Sequence, residues 1–136
     1  MHTKSTPEKL FDFSLGIANF SLKVKCNHEK LVEKLTARYV AFPPGHANQF
    51  TAQINWVGTK RISSLLDTNT NFQNGILNFS APGYQGYINE KAGVGFLELS
   101  SAYPIEDIDY FLRVALALIA HNADCVLMHT AGIIKN

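Results

Sequence analysis

The sequence lacks the charge imbalance and the long apolar runs that identify many classes of binding protein. Its 12 basic residues are balanced by 11 acidic ones, which gives a net charge of +1. No basic stripe is visible, so we predict that neither nucleic acid nor a membrane is a partner. The longest mainly apolar run, residues 114–120, is far shorter than the roughly 20 residues of a membrane span. The amino terminus has no signal peptide, so we expect a cytoplasmic protein.

Cysteine and metal-ligand patterns are also sparse. Cys26 and Cys125 lie far apart in the chain, and in a reducing cytoplasm we expect two buried thiols rather than a disulfide. Neither His-x-x-x-His nor Cys-x-x-Cys occurs in the sequence. Cys125 and His129 are four residues apart, which in a strand is about 13 Å, too far to share one metal ion. We therefore predict no metal site.

The sequence motifs of catalysis are missing as well. The chain contains no Gly-x-x-x-x-Gly-Lys-Ser/Thr phosphate loop, no Gly-x-Gly-x-x-Gly and no Gly-x-Ser-x-Gly. Its short glycine pairs, such as Gly93-Val-Gly95, are typical of turns and bulges. The motifs therefore assign no catalytic residue and no cofactor-binding residue.

What is present indicates an ordinary folded domain. Hydrophobic residues make up 46% of the chain and charged residues 17%, whereas disorder requires fewer of the first and more of the second. A chain of 136 residues can bury a single core of adequate size. We predict a loose tail over residues 1–10 and one domain over residues 11–136.

Alternation of apolar and polar residues predicts most of the strands. The alternation at residues 11–15 resumes at residues 20–24 after a short join that contains glycine and asparagine, which indicates a hairpin. Further strands are predicted at Phe50–Val57, Arg61–Leu66, Phe72–Phe79, Tyr84–Asn89 and Val94–Leu99, with a loop at residues 67–71. This spacing favours an antiparallel sheet of consecutive hairpins.

Two helices complete the predicted fold, which is α+β: an antiparallel sheet of about six to eight strands with two principal helices. We predict that Asn27 caps the first helix and that Pro43 ends it. Its apolar side consists of Leu31, Val32, Leu35 and Tyr39.

The second helix is predicted from Pro104 to His121, followed by an apolar strand at residues 124–134. Proline suits the first helical position, and Glu106, Asp107 and Asp109 place negative charge at the positive end of the helix dipole. The helix is apolar around most of its circumference, so we expect burial on more than one side. Uncovered apolar surface on this helix and strand would form an interface.

Glu98 and His129 are the two candidate site residues. Glu98 lies in an apolar strand, where alternation places it on the same face as Phe96. It either belongs to a polar sheet face or is a buried carboxylate with a shifted pKa. His129 lies next to the small residues 130–132 and is either a structural histidine or an acid–base group.

The order of the segments resembles that of HPr kinase-like proteins, bacterial serine-kinase relatives that share a phosphate-loop core with phosphoenolpyruvate carboxykinase. Residues 13–24 (FSLGIANFSLKV) and the helix segment 35–39 look like their amino-terminal part. Residues 103–118 are similar to the helix before their core. Residues 126–134 (VLMHTAGII) resemble the Leu-His-Ala-Ala-Gly-Val-Val strand that opens it.

The resemblance implies the non-catalytic amino-terminal part of a kinase-like protein. No residue here matches a catalytic position of the family, and ATP and magnesium are expected only if a phosphate-loop core follows. The implied role is docking of a protein partner or of the kinase core, or formation of a homo-oligomer. A small-ligand binding module, with a pocket on the sheet face near Glu98 and Tyr87, is the alternative. An enzyme that uses Glu98 and His129 as acid and base is the third hypothesis.

Overall fold

The structure, a computed structural model, describes residues 8–44, 49–58, 68–127 and 133–135. The strands of this part are β1 (Phe11–Ile17), β2 (Phe20–Cys26), β3 (Phe50–Trp56), β4 (Asn69–Gln73), β5 (Ile76–Ala81), β6 (Tyr84–Asn89), β7 (Val94–Leu99), β8 (Cys125–Leu127) and β9 (Ile133–Lys135). Its helices are α1 (Glu29–Arg38) and α2 (Pro104–Asn122). The predicted α+β class is confirmed. The strand predicted at Arg61–Leu66 lies outside the described residues.

Seven strands form one mixed sheet in the order β1-β2-β3-β7-β6-β5-β4. The hairpin of β1 and β2 is antiparallel, as predicted, and so are the successive pairs from β4 to β7. The pairs β2–β3 and β3–β7 are parallel, so the expectation of a wholly antiparallel sheet was wrong there. Parallel neighbours require a crossover. Helix α1 provides the crossover between β2 and β3, and the β4–β6 meander lies between β3 and β7 in the chain.

A tight turn divides the strand that was predicted at Phe72–Phe79. Asn74 and Gly75 have φ angles of 55° and 77° and connect β4 to β5. Asparagine followed by glycine, both at positive φ, is the favoured two-residue hairpin turn. The loop predicted at residues 67–71 was also wrong, because residues 69–71 belong to β4. All five side chains of this edge strand are exposed, so its polar sequence is compatible with a strand.

Helix α1 is shorter than predicted and has a different cap. Its residues Leu31, Val32 and Leu35 are buried, as expected, but it ends at Arg38, before Pro43. The N-cap is His28, which makes no side-chain capping hydrogen bond.

Asn27 holds two strands together and does not cap the helix. Its side-chain Oδ1 accepts a hydrogen bond from the Trp56 backbone N–H at 2.9 Å. Its Nδ2 donates to the Trp56 carbonyl oxygen at 3.0 Å and to Glu8 Oε1 at 3.1 Å. The side chain thus joins the end of β2 to the end of β3.

Helix α2 begins at Pro104, as predicted, and has acidic residues in its first turn. Its buried apolar side chains are Ile108, Phe111, Leu112, Ala115, Leu116 and Ala120. Val114, Leu118 and Ile119 are half-buried and pack against the same core. Among the described side chains of α2, Tyr110 is the one large hydrophobic residue that is exposed. The uncovered apolar surface on this helix is limited to Tyr110 and to the solvent-facing parts of the half-buried side chains.

Asp109 connects the two helices. The prediction placed its charge at the helix dipole, but the carboxylate is buried and accepts a hydrogen bond from the Tyr39 hydroxyl. It also pairs with Arg113 Nε at 2.9 Å and with Arg38 at 3.5 Å. Burial, with the adjacent Asp109 carboxylate, raises the pKa of Tyr39. The Asp109 carboxylate is therefore surrounded by three side chains, Arg38 and Tyr39 at the end of α1 and Arg113 on α2.

The apolar segment after α2 forms two short strands, not the single strand predicted at residues 124–134. β8 and β9 pair antiparallel as a separate two-stranded sheet. His129 lies between them, outside the described residues. Within the described residues, no helix is both long enough and apolar enough to span a membrane.

The main sheet has an inner face and an outer face. Both helices pack on the inner face, where ring centroids of Phe79 and Phe111 are 5.8 Å apart and those of Phe13 and Tyr39 are 5.7 Å apart. The inner side chains are almost all buried, including Leu22, Val24, Ile54, Ile88, Leu97 and Leu99. The outer face is the side that neither helix covers, and most of its side chains are polar.

Candidate functional site

The structure places Glu98 and Tyr87 together on the outer face. Glu98 on β7 is half-buried, and its Oε1 accepts a hydrogen bond from Gln85 Nε2 of β6 at 3.0 Å. Leu97 and Leu99 point to the core, so the predicted alternation of this strand is confirmed. Since His129 lies outside the described residues, its pairing with Glu98 as acid and base stays a prediction.

Strand register arranges the outer-face side chains in rows that cross the sheet. One row consists of Asn55, Glu98, Gln85, Ser80 and Asn69, on β3, β7, β6, β5 and β4. The next row consists of Gln53, Phe96, Tyr87, Asn78 and Asn71 on the same strands. Because same-face neighbours on adjacent strands are about 5 Å apart, each row is continuous.

Two adjoining depressions follow these rows. The first has a volume of about 580 Å³ and is lined in part by Glu98 and by the Pro82-Gly83 turn at one end of the sheet. The second, of about 460 Å³, lies against Tyr87 and Phe96. They share Asn69, Ser80 and Gln85. We call the combined depression, defined by these three residues with Glu98, Tyr87 and Phe96, the outer groove.

An aromatic pair forms one wall of the outer groove. The rings of Tyr87 and Phe96 are stacked at a centroid distance of 6.3 Å and an angle of 26°. Tyr87 is 40% exposed, although an aromatic ring on a sheet gains most by burial against the core. The exposed part of the Tyr87 ring therefore offers an apolar surface to the solvent, beside the polar groups of the groove.

The backbone beneath the groove is closely packed at Gly86. A Cβ atom added to this glycine would lie 1.9 Å from the carbonyl oxygen of Phe96. Only glycine permits this approach of β6 to β7. The positions of Tyr87 and Phe96, next to this contact, are therefore fixed by a tight strand pair.

The described lining of the groove carries little charge. Among the described residues that line the two depressions, Glu98 is the one charged side chain. The remaining polar groups there are amides and hydroxyls, chiefly Asn69, Asn71, Asn78, Ser80 and Gln85. Hydrogen bonding rather than ion pairing is the chemistry that this surface offers to a ligand.

The cysteines lie elsewhere and are both free. Cys26 and Cys125 are buried, which confirms the expectation of two buried thiols. Burial raises the pKa of the Cys26 thiol, so this group is held in its less reactive protonated form. Within the described residues, no three His, Cys, Asp or Glu side chains come close enough together to hold a metal ion.

Sequence reasoning found Glu98 and Tyr87 but missed the amides around them. Asn69 and Asn71 were assigned to a loop, and Asn78 to a single strand at Phe72–Phe79. The available signal was the Asn74-Gly75 turn, which sets the alternation of β4 and β5 on either side.

Three comparisons with known proteins add no relative. No family model, no curated protein and no solved structure matches this chain. The relation to HPr kinase-like proteins therefore stays a prediction.

Proposed function

We propose that this domain is a binding module whose ligand occupies the outer groove. The observation that carries the proposal is the junction of the two depressions, which share Asn69, Ser80 and Gln85 beside the exposed ring of Tyr87. Small-ligand sites are typically concave and combine apolar surface with a few convergent polar groups. The outer groove has this composition, in an open form rather than as an enclosed cavity.

The difference in composition between the two faces of the sheet supports this role. The inner face and the helices contain the core, so the identities of the outer residues are not needed for burial. A solvated sheet face carries polar residues by default, and such a face commonly includes charges of both signs. Here four carboxamides and an aromatic pair occupy adjoining positions on β4–β7, which is a pattern suited to recognition.

Docking to a kinase core, the role that the resemblance implies, is a separate proposal. The half-buried apolar side chains of α2 already pack against this domain's own core, so they do not support it. The outer groove is compatible with docking of a substrate segment, and in that case the kinase core would be supplied by another part of the protein.

Small chemical probes test the proposed site without knowledge of the natural ligand. Phenol and acetamide, titrated into ¹⁵N-labelled protein, should give saturable amide shifts on β5, β6 and β7 around the groove. Tyr87→Ala should weaken the phenol shifts several-fold. The matched control is Tyr103→Ala, because Tyr103 is equally a surface tyrosine, 59% exposed, but lies before α2.

Shifts that scatter over the whole surface would contradict the proposal. So would shifts confined to the depression of about 580 Å³ beside the β1–β2 turn, which is lined by Phe20, Phe42 and Pro43. Melting temperatures of both variants, compared with that of the parent protein, show whether a lost signal reflects a lost site or a lost fold.

A further inference from the structure

We propose that the ligand of the outer groove is a neutral oligosaccharide. This inference rests on the proposed function and specifies its ligand class. In the arrangement we infer, the ring of Tyr87 packs against the C–H face of one sugar unit. The side chains of Gln85, Asn78 and Glu98 hydrogen-bond to its hydroxyl groups and to those of its neighbours.

The hydrogen-bonding groups of the groove match hydroxyls in particular. Each carboxamide has two N–H donors and one acceptor oxygen, whereas a hydroxyl both donates and accepts. A chain of sugar hydroxyls supplies donors and acceptors in close alternation along its length. The row of Glu98, Gln85, Ser80 and Asn69 presents carboxylate, amide, hydroxyl and amide in succession across four strands.

The hydrogen bond between Gln85 and Glu98 determines which donors and acceptors of this row remain for a ligand. Gln85 Nε2 donates to Glu98 Oε1 at 3.0 Å, which uses one of the two amide hydrogens. The other amide hydrogen, the amide oxygen and the second carboxylate oxygen are the groups that this pair offers to a ligand. An ionised carboxylate accepts hydrogen bonds only, so a donor hydroxyl is the expected neighbour of Glu98.

Charge argues against a polyanion. Binding of a nucleic acid depends on neutralisation of phosphates by lysine and arginine. Among the described residues of the sheet, the outer-face lysines are Lys23 and Lys25, which lie on β2, separated from β7 by β3. At a strand spacing of about 4.8 Å, this places them roughly 10 Å from the nearest groove strand. A phosphate chain in the groove would instead meet Glu98.

The aromatic surface fits a sugar ring in shape. The ring of Tyr87 is 40% exposed and is backed by Phe96, on which it is stacked at an angle of 26°, so Tyr87 supplies the aromatic surface of the groove. The C–H groups of a pyranose face are apolar, and their burial on such a surface is favourable by the hydrophobic effect. From Glu98 to Asn69 the row crosses three strand spacings, about 14 Å, which suits a short oligosaccharide rather than a monosaccharide.

The test is titration with uncharged oligosaccharides, namely cellotetraose, maltotetraose, xylotetraose and mannotetraose, followed by amide shifts and by calorimetry. We expect at least one of them to bind saturably and to shift groove residues of β5, β6 and β7. Tyr87→Ala should weaken that binding by about tenfold or more, whereas Tyr87→Phe retains the ring and should retain most of the affinity. Gln85→Ala should also weaken it, and Tyr103→Ala should leave it unchanged.

The remaining outcomes separate this proposal from the proposed function. If phenol and acetamide shift the groove but none of the four sugars does, the oligosaccharide proposal is overturned and the binding site stands. Groove shifts with an uncharged peptide or an oligothymidylate, in place of the sugars, overturn the oligosaccharide proposal in the same way. If no probe of any kind shifts the groove, both proposals fail.

Discussion

At the scale of single residues, Asn27 has the clearest structural role. Its carboxamide pairs with both the N–H and the carbonyl of Trp56, at 2.9 and 3.0 Å. Asn27→Ala removes both hydrogen bonds at once, so the N–H and the carbonyl oxygen of Trp56 lose their side-chain partners. We expect a loss of about 1–3 kcal/mol in the free energy of unfolding, the usual cost of unsatisfied polar groups. Urea titration followed by far-UV circular dichroism measures it.

Asn78→Ala is the matched control for this substitution. Asn78 is exposed on the outer face of β5, so its removal should change the free energy of unfolding by no more than about 0.5 kcal/mol. Equal effects of the two substitutions would show that the contacts of Asn27 with Trp56 do not stabilise the fold. An asparagine before a helix normally indicates a cap, so this role could not be predicted from local sequence.

At the scale of elements, alternation predicted the strands that have a buried face and failed where none exists. The bounds of β6 and β7 were predicted correctly, because every second residue there faces the core. Strand β4 has no buried side chain, so its polar residues had the pattern of a loop. The order of the strands in the sheet also could not be predicted from local sequence patterns. The outer groove combines side chains of β4, β5, β6 and β7, and only the pairing register brings them together.

The contact between α1 and α2 depends on Asp109. Its carboxylate is the common partner of Tyr39, Arg38 and Arg113. Asp109→Ala leaves the partly buried Tyr39 hydroxyl without its acceptor, which costs about 1–3 kcal/mol. Because both arginines are well exposed to water, the loss of their ion pairs adds about 1 kcal/mol or less. We therefore expect a total loss of about 2 kcal/mol in urea titration.

Asp12→Ala is the control for an ion pair at the surface. Asp12 is 54% exposed and lies 3.4 Å from Lys23 across the β1–β2 hairpin. Exposed pairs of this kind contribute about 1 kcal/mol or less. If Asp109→Ala were no more destabilising than Asp12→Ala, the helix pair would be held by apolar contacts alone.

At the scale of the whole molecule, burial of weak acids makes stability depend on alkaline pH. Burial raises the pKa of the Tyr84 hydroxyl above its ordinary value of 10.0, and the neighbouring Tyr110 and Asp107 add to the effect. Burial likewise raises the pKa values of Tyr39 and of Cys26. In the unfolded chain these groups lose their protons near their ordinary pKa values. In the folded protein they retain their protons to higher pH.

The sign of the effect follows from this difference in bound protons. Below about pH 7.5 both states are protonated at all three groups, and at the two tyrosines this holds to about pH 9, so their contribution to stability is fully present there. As the pH rises past 10, the unfolded state releases the Tyr84 proton and the folded state does not, so the free energy of unfolding falls. For Tyr84, which is 2% exposed, the slope of the free energy of unfolding against pH approaches about 1.4 kcal/mol per pH unit.

Urea midpoints measured at pH 8, 10 and 11 should therefore decrease at the two higher values. Tyr84→Phe, which has no ionisable group, should give a shallower decrease between pH 10 and 11. Identical slopes for the two proteins would mean that Tyr84 ionises equally well in the folded state, and that the hydroxyl is open to solvent through the adjoining end of the outer groove.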